Sequence, residues 1–139
     1  MNLEADSPSF NRILLVDDNA ANLEILYQSL EDEGYELLVA QSGQEALDIT
    51  REAQPALILL DINMPGMDGF EFLEAATEKL GAELCPIVVM LTTSLNPKDE
   101  ERAMSFSVVR EFLSKPLTLR QLQALGALVG AKEPNMLGQ

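Results

Sequence analysis

The chain has 139 residues, of which 47% are hydrophobic, and its 23 acidic and 9 basic side chains give a net charge of −14 at pH 7. This length predicts one domain that folds without disulfides, and Cys85, the one cysteine, suits a reducing compartment. The negative charge disfavours nucleic acid and anionic membranes, whose phosphates it would repel. No signal peptide and no apolar run of about 20 residues is found, so we expect a cytoplasmic protein.

Strand and helix patterns alternate along the chain after a polar stretch. Residues 1–10 predict a disordered lead-in, residues 11–131 the folded domain, and residues 132–139 a polar tail. Short apolar, branched runs predict strands. These strands cover residues 13–16, 36–40, 57–60, 87–91 and 111–113.

Apolar residues at helical spacing follow each predicted strand. The first helix covers residues 19–33, with Tyr27 on its apolar face, and Gly34 is predicted to end it. Capping boxes at Ser42 and Thr118 predict the starts of the second and fifth helices. The third helix covers residues 70–80, ended by Gly81, and the fourth covers residues 98–104 after Asn96-Pro97.

Five strand–helix repeats of this kind predict an α/β fold of the flavodoxin-like type. The apolar strands form a doubly wound parallel sheet in the order 2-1-3-4-5, and helices cover both faces to give three α/β/α layers. In this order the first and third strands are neighbours. Their carboxyl ends lie at the switch point, where ligands bind in such sheets.

Acidic residues stand at both of these strand ends. Asp17 and Asp18 follow the first strand and Asp61 follows the third, so we expect the three carboxylates to converge. Because they repel one another, a divalent cation is the simplest way to neutralise them. Oxygen ligands in a chain without histidine favour Mg²⁺ or Mn²⁺, and one carboxylate can then act as a nucleophile toward phosphorus.

Two more polar residues follow the fourth and fifth strands. Lys115 is placed to pair with a phosphoryl oxygen, and Thr92 is placed to donate its hydroxyl to another. Taken singly, Lys115 is better explained as a solvated lysine, and Thr92 as a threonine that precedes a helix. The combination with the acidic residues is what makes the pattern specific.

These residues, together with the sequence NMPGMDG after Asp61 and with Phe112 three residues before Lys115-Pro116, resemble the CheY-like receiver domain of two-component response regulators. The resemblance covers residues 11–131. It implies that Asp61 is the phosphoacceptor, and that Asp18 and Asp61 bind Mg²⁺ directly.

The same resemblance implies roles for the remaining residues. Asp17 would act on the ion through an intervening water, and the backbone carbonyl of Asn63 would complete the ligands. Lys115 would contact the phosphoryl group and form a cis peptide bond with Pro116. Thr92 and Phe112 would be the switch pair, although Phe112 suits a plain core aromatic equally well.

The implied function is a signalling module rather than a classical enzyme. A histidine kinase or histidine phosphotransfer protein would be the phosphoryl donor, and the face made by the fourth helix, fifth strand and fifth helix would bind a downstream protein. One departure from the family pattern is Val108-Val109, where Gly-Ala is usual.

Several alternatives remain at this point. The chain is either a single-domain regulator without a DNA-binding output domain, or a receiver cut from a hybrid histidine kinase or larger regulator. Both remain open because the sequence DDNAANL after the first strand resembles both kinds. A Mg²⁺-dependent aspartyl phosphatase would need a second Asp at the position of Asn19. A flavodoxin-like FMN carrier would need a phosphate loop without the two acids.

Overall fold

The computed structural model describes residues 12–31, 33–62, 64, 66–84, 86–93, 96–115 and 117–130. Five strands alternate with five helices. The strands are β1 (Arg12–Val16), β2 (Glu36–Ala40), β3 (Leu57–Asp61), β4 (Ile87–Thr92) and β5 (Val109–Ser114). The helices are α1 (Ala20–Glu31), α2 (Gly43–Ala53), α3 (Gly69–Leu84), α4 (Pro97–Met104) and α5 (Leu119–Gly130).

Some predictions fall outside the described residues. They are the lead-in over residues 1–10, the tail over residues 132–139, the carbonyl of Asn63 and the peptide bond between Lys115 and Pro116.

The strands form one parallel sheet in the order β2-β1-β3-β4-β5, which confirms the predicted fold. β3 lies at the centre, with Val16 of β1 beside Leu60 and Leu91 of β4 beside Asp61. Every residue of β3 is buried, because helices cover the sheet on both faces. The carboxyl ends of β1 and β3 are therefore neighbours.

Alternate strand residues feed two apolar clusters, one on each face of the sheet. Leu60 of β3 joins Leu47 of α2 and Leu73 of α3 in the first cluster. Leu59 joins Leu26 of α1 and Leu125 of α5 in the second. The sheet is thus held from both sides by side chains that the helical spacing predicts to face inward.

Side-chain caps begin the helices near the carboxyl edge of the sheet. Ser42 Oγ accepts from the backbone N–H of Glu45 at 3.1 Å, and Thr118 and Gln121 exchange two hydrogen bonds at 2.9 and 3.0 Å. Asn96 Oδ1 accepts from the N–H of Lys98 at 2.9 Å. These caps confirm the predicted starts of α2, α5 and α4.

Two predicted helix ends differ from the structure. Gly34, at φ 88°, lies after the end of α1, but the helix stops at Glu31 rather than Glu33. The prediction that Gly81 ends α3 is wrong, since α3 continues to Leu84. Glycine stops a helix when it adopts a left-handed conformation, and the described glycines with positive φ are Gly34 and Gly66.

One predicted inward side chain also differs. Tyr27 is 38% exposed, while Leu23, Leu26 and Leu30 form the buried stripe of α1. The buried stripe of α1 is therefore narrower than the apolar pattern in the sequence.

The Val108-Val109 departure lies where the chain enters β5. Both valines are buried, at 8% and 4% exposed, and the N–H of Val88 donates to the carbonyl of Val108 at 2.8 Å. Val109 pairs with Val88, whereas Glu111 pairs with Val89, so Arg110 is an extra residue in β5. β5 thus contains a bulge at Arg110 and is longer than the predicted strand over residues 111–113.

Within the part of the chain that the structure describes, no helix has both the length and the apolar character needed to cross a lipid bilayer.

Candidate functional site

Three aspartates meet at the carboxyl edge of the sheet. Asp17 follows β1, Asp18 is next to it, and Asp61 is the last residue of β3. Each offers a carboxylate oxygen, and these oxygens lie within 4.8 Å of one another. Asp17 and Asp61 are buried at 1% and 4% exposed, whereas Asp18 is exposed. The structure therefore brings together the acidic residues that the sequence places at two strand ends.

Lys115 enters this cluster from the end of β5. Its Nζ lies 2.9 Å from Oδ2 of Asp17 and 3.1 Å from Oδ1 of Asp61, and its side chain is 13% exposed. Burial by itself lowers the pKa of Lys115, but hydrogen bonds and charges from Asp17 and Asp61 outweigh it, so the pKa lies above its ordinary value. Lys115 is therefore a charged ammonium that bridges two carboxylates.

Backbone contacts fix Lys115 relative to the neighbouring strand. Its N–H donates to the carbonyl of Thr92 at 2.7 Å. Thr92 ends β4, one residue beyond the Asp61–Leu91 pair, and is 2% exposed. Thr92 thus stands at the edge beside Asp61, on the strand between Asp61 and Lys115.

Phe112 lies inside the protein, on β5. It is 8% exposed and belongs to the first apolar cluster. Its position in this structure is therefore the inward one.

Asparagines at the start of α1 organise Asp17, and sequence reasoning assigned them no role there. The N–H of Asn19 donates to Oδ1 of Asp17 at 2.9 Å, and Nδ2 of Asn22 donates to Oδ2 at 3.3 Å. Asn19 Oδ1 also caps α1 by accepting from the N–H groups of Ala21 and Asn22. The available signal was a polar residue in the first turn of the helix after an acidic strand end.

The loop after Asp61 returns close to its own backbone. The N–H of Gly69 donates to the carbonyl of Ile62 at 3.0 Å. A Cβ on Gly69 would lie 3.0 Å from both the Asp61 carbonyl oxygen and Ile62 Cα. Asp68 and Glu71 form a capping box that starts α3 here, with hydrogen bonds of 2.9 and 2.8 Å. A residue without a side chain at position 69 thus allows α3 to begin against the phosphoacceptor candidate.

The residues present fit a hard divalent cation. Three carboxylates carry more negative charge than one lysine neutralises, and oxygen is the ligand that Mg²⁺ and Mn²⁺ prefer. The chain has no histidine to favour a softer metal.

Comparison with known proteins assigns the family. The family model described as the response regulator receiver domain matches residues 13–126. The chain belongs to the response regulator receiver domain family. Such domains are signalling modules of two-component systems, which take a phosphoryl group from histidine kinases or phosphotransfer proteins and typically bind Mg²⁺ at an acidic pocket.

Similar proteins are of two kinds. The polar-differentiation response regulator DivK of Brucella ovis is 31% identical over 119 residues, which are 85% of this chain and 95% of DivK. The sensor histidine kinase GacS of Pseudomonas protegens is 37% identical over 115 residues, 80% of this chain but 12% of GacS. The chain thus spans nearly all of one relative and a small part of the other.

A solved structure supports the same fold. Chemotaxis protein CheY4 of Vibrio cholerae superimposes with a TM-score of 0.77 at 30% identity, covering 87% of this chain and 99% of CheY4.

Proposed function

We propose that this receiver domain is controlled by Mg²⁺-dependent phosphorylation of Asp61. The observation that carries the proposal is the position of Lys115, whose ammonium lies between the carboxylates of Asp17 and Asp61 in an otherwise acidic site. A partly buried cation held at this place is suited to receive the oxygens of an incoming phosphoryl group.

The position of Asp61 favours it as the nucleophile. It ends the central strand, with Asp17 and Asp18 on one side and Thr92 on the adjoining strand. A phosphoryl group on Asp61 would therefore lie among the cluster acids, Lys115 and Thr92. Asp17 is already held by three described donors, and Asp18 is exposed.

In the proposed transfer step, a phosphoryl group moves from a phosphohistidine to Asp61. A carboxylate oxygen of Asp61 attacks phosphorus, the new O–P bond forms as the P–N bond of a phosphohistidine breaks, and the leaving imidazole takes a proton. Lys115 turns from its carboxylate partners toward one phosphoryl oxygen, and Thr92 donates its hydroxyl to another. When bound, Mg²⁺ would neutralise phosphoryl oxygens. It would be held by Asp18, Asp61 and the Asn63 carbonyl, with Asp17 acting through water.

We propose that the response passes through Thr92 and Phe112. When Thr92 is drawn toward the phosphoryl group, the space beside it favours the inward position of Phe112, which is the position in this structure. Phosphorylation would then stabilise one shape of the face made by α4, β5 and α5. That face would bind the downstream protein.

We assign the receiver to residues 11–131 and take the single-domain regulator as the working context. The likeness to DivK supports it, since DivK is matched over 95% of its length. A receiver of a hybrid kinase, as in GacS, is the alternative and would use the same site.

Intact-mass spectrometry after incubation with acetyl phosphate tests the phosphorylation site. Wild type should gain one phosphate in Mg²⁺ and none in EDTA, and Asp61→Asn should gain none in either. Asp68→Asn is the matched control, because Asp68 lies in the same loop outside the acidic cluster and asparagine can still cap α3. Normal labelling of Asp61→Asn would refute the assignment.

A further inference from the structure

Asn22 contacts the acidic site without being one of its charged groups. It lies in the first turn of α1, and its Nδ2 donates to Oδ2 of Asp17 at 3.3 Å. We infer that Asn22 is a positioning residue that fixes the plane of the Asp17 carboxylate for Mg²⁺ binding. This inference rests on the proposed function, in which Asp17 acts on the ion through water.

An aspartate carboxylate needs such support because its terminal torsion is soft. The N–H of Asn19 holds Oδ1 and the amide of Asn22 holds Oδ2, so the two oxygens are restrained from opposite ends. Asn22 is itself fixed, since its N–H donates to Oδ1 of Asn19 at 3.2 Å. Asp17, Asn19 and Asn22 therefore form a closed ring of hydrogen bonds.

Lys115 also contacts Oδ2 of Asp17 but cannot replace Asn22. Its ammonium is shared with Asp61, and the proposed transfer draws it toward the phosphoryl group. The proposed transfer does not draw the amide of Asn22 away from Asp17. This amide is also neutral, so it orients Asp17 without adding positive charge that would oppose a divalent cation.

The surroundings of Asn22 offer a substitution that tests its hydrogen bond to Asp17 and a matched control on the same helix. The side chain of Asn22 borders a groove of about 240 Å³ that is also lined by Ile25, Leu26 and Ser29 of α1 and, on the other side, by residues that include Lys115. Leucine, which is close to asparagine in size, removes the hydrogen bond to Asp17 while keeping a side chain of similar bulk beside this groove. Ser29→Ala is the matched control, because Ser29 lines the same groove on the same helix.

Isothermal titration calorimetry with Mg²⁺ alone measures the effect, with thermal unfolding and acetyl phosphate labelling on the same samples. We expect Asn22→Leu and Asn22→Ala to weaken Mg²⁺ binding by up to about 10-fold, the lower end of the cost of losing a residue that orients a direct ligand, because Asp17 acts through water. Ser29→Ala should bind Mg²⁺ like wild type. At saturating Mg²⁺ the labelling rate of the Asn22 variants should largely recover.

A double-mutant cycle shows whether Asn22 acts through Asp17. In an Asp17→Asn background, Asn22→Leu should cause no further loss of Mg²⁺ affinity. An affinity of Asn22→Leu within about two-fold of wild type, or an equal loss in Ser29→Ala, would overturn the inference. If wild type itself gains no Mg²⁺-dependent phosphate, the proposed function fails instead, and the Mg²⁺ titrations still decide the role of Asn22.

Discussion

The acidic edge of the sheet and helix α4 are held in place by different means. Asp17 and Asp61 are nearly fully buried and joined by the Lys115 ammonium, at the carboxyl ends of the neighbouring strands β1 and β3. In α4, all of whose residues the structure describes, Ala103 alone is buried. A ring contact of Arg102 with Phe70 and the Asn96 cap add to this thin packing.

This difference in packing suits the two regions to different proposed roles, chemistry at the acidic edge and a change of shape at α4. Chemistry requires oxygens and charges fixed to a fraction of an ångström, which the packed strands β1 and β3 supply. A change of shape requires a segment whose local opening costs little free energy, and such segments have few buried apolar contacts. The proposed site and the proposed responding face therefore lie where the packing suits each.

The largest expected effect is at Lys115. In EDTA, Lys115→Met should lower the free energy of unfolding by about 3 kcal/mol near neutral pH, because it leaves buried carboxylates without their cation. Lys98→Met on α4 removes an exposed lysine and should change it by less than about 0.5 kcal/mol. Urea denaturation followed by circular dichroism measures both. Equal effects of the two substitutions would remove the contrast between the edge and α4.

The pH dependence of this difference identifies its electrostatic part. The pKa of Lys115 in the folded protein lies above its ordinary value of 10.5. A raised pKa means that the stabilisation is fully present below pH 10.5 and is lost as pH rises through the folded value. The difference in free energy of unfolding between wild type and Lys115→Met should therefore stay constant from neutral pH to pH 10.5. It should then close as the pH rises through the pKa of Lys115 in the folded protein. A difference that is unchanged at higher pH would point to packing alone.

A smaller effect is expected where α3 begins against Asp61. In Gly69→Ala, the added methyl would crowd two backbone atoms at 3.0 Å, at a cost of about 1–3 kcal/mol. Because one of these atoms is the Asp61 carbonyl oxygen, labelling by acetyl phosphate should slow as well.

Gly66→Ala is the control for this substitution, since Gly66 lies in the same loop at φ 83° but has open space around it. It should lose about 1 kcal/mol of stability through backbone strain and keep the wild-type labelling rate. If both variants label at the same rate, crowding at Asp61 does not matter to the reaction.

The features of the molecule differ in how well the sequence predicts them. Apolar runs that end in Asp17 and Asp61 require buried parallel strands, and strand order then brings the acids together. The Asn22–Asp17 hydrogen bond was missed because it depends on how α1 leaves β1, which spacing along the chain does not specify. The bulge at Arg110 was missed because the apolar pattern does not show where a strand takes up an extra residue. The length of α3 was missed because Gly81 does not adopt the left-handed conformation with which a glycine commonly ends a helix.

The smallest expected effect is at the contact that holds α4. The guanidinium of Arg102 lies 4.2 Å from the centre of the Phe70 ring, and Phe70 is 4% exposed at the start of α3. Arg102→Met keeps the side-chain stem but removes the cation, so it should cost about 0.5–1 kcal/mol. Hydrogen exchange of the α4 amides should accelerate about three-fold, while exchange in β1 and β3 stays the same.

Glu74→Gln separates this ring contact from the ion pair that Arg102 also makes. The Arg102–Glu74 distance is 3.9 Å and both side chains are more than half exposed, so the pair should contribute little. Exchange in α4 should therefore remain at the wild-type rate in Glu74→Gln. Exchange there as fast as in Arg102→Met would show that the ion pair, rather than the Phe70 ring beside the acidic loop, holds α4 to the body of the domain.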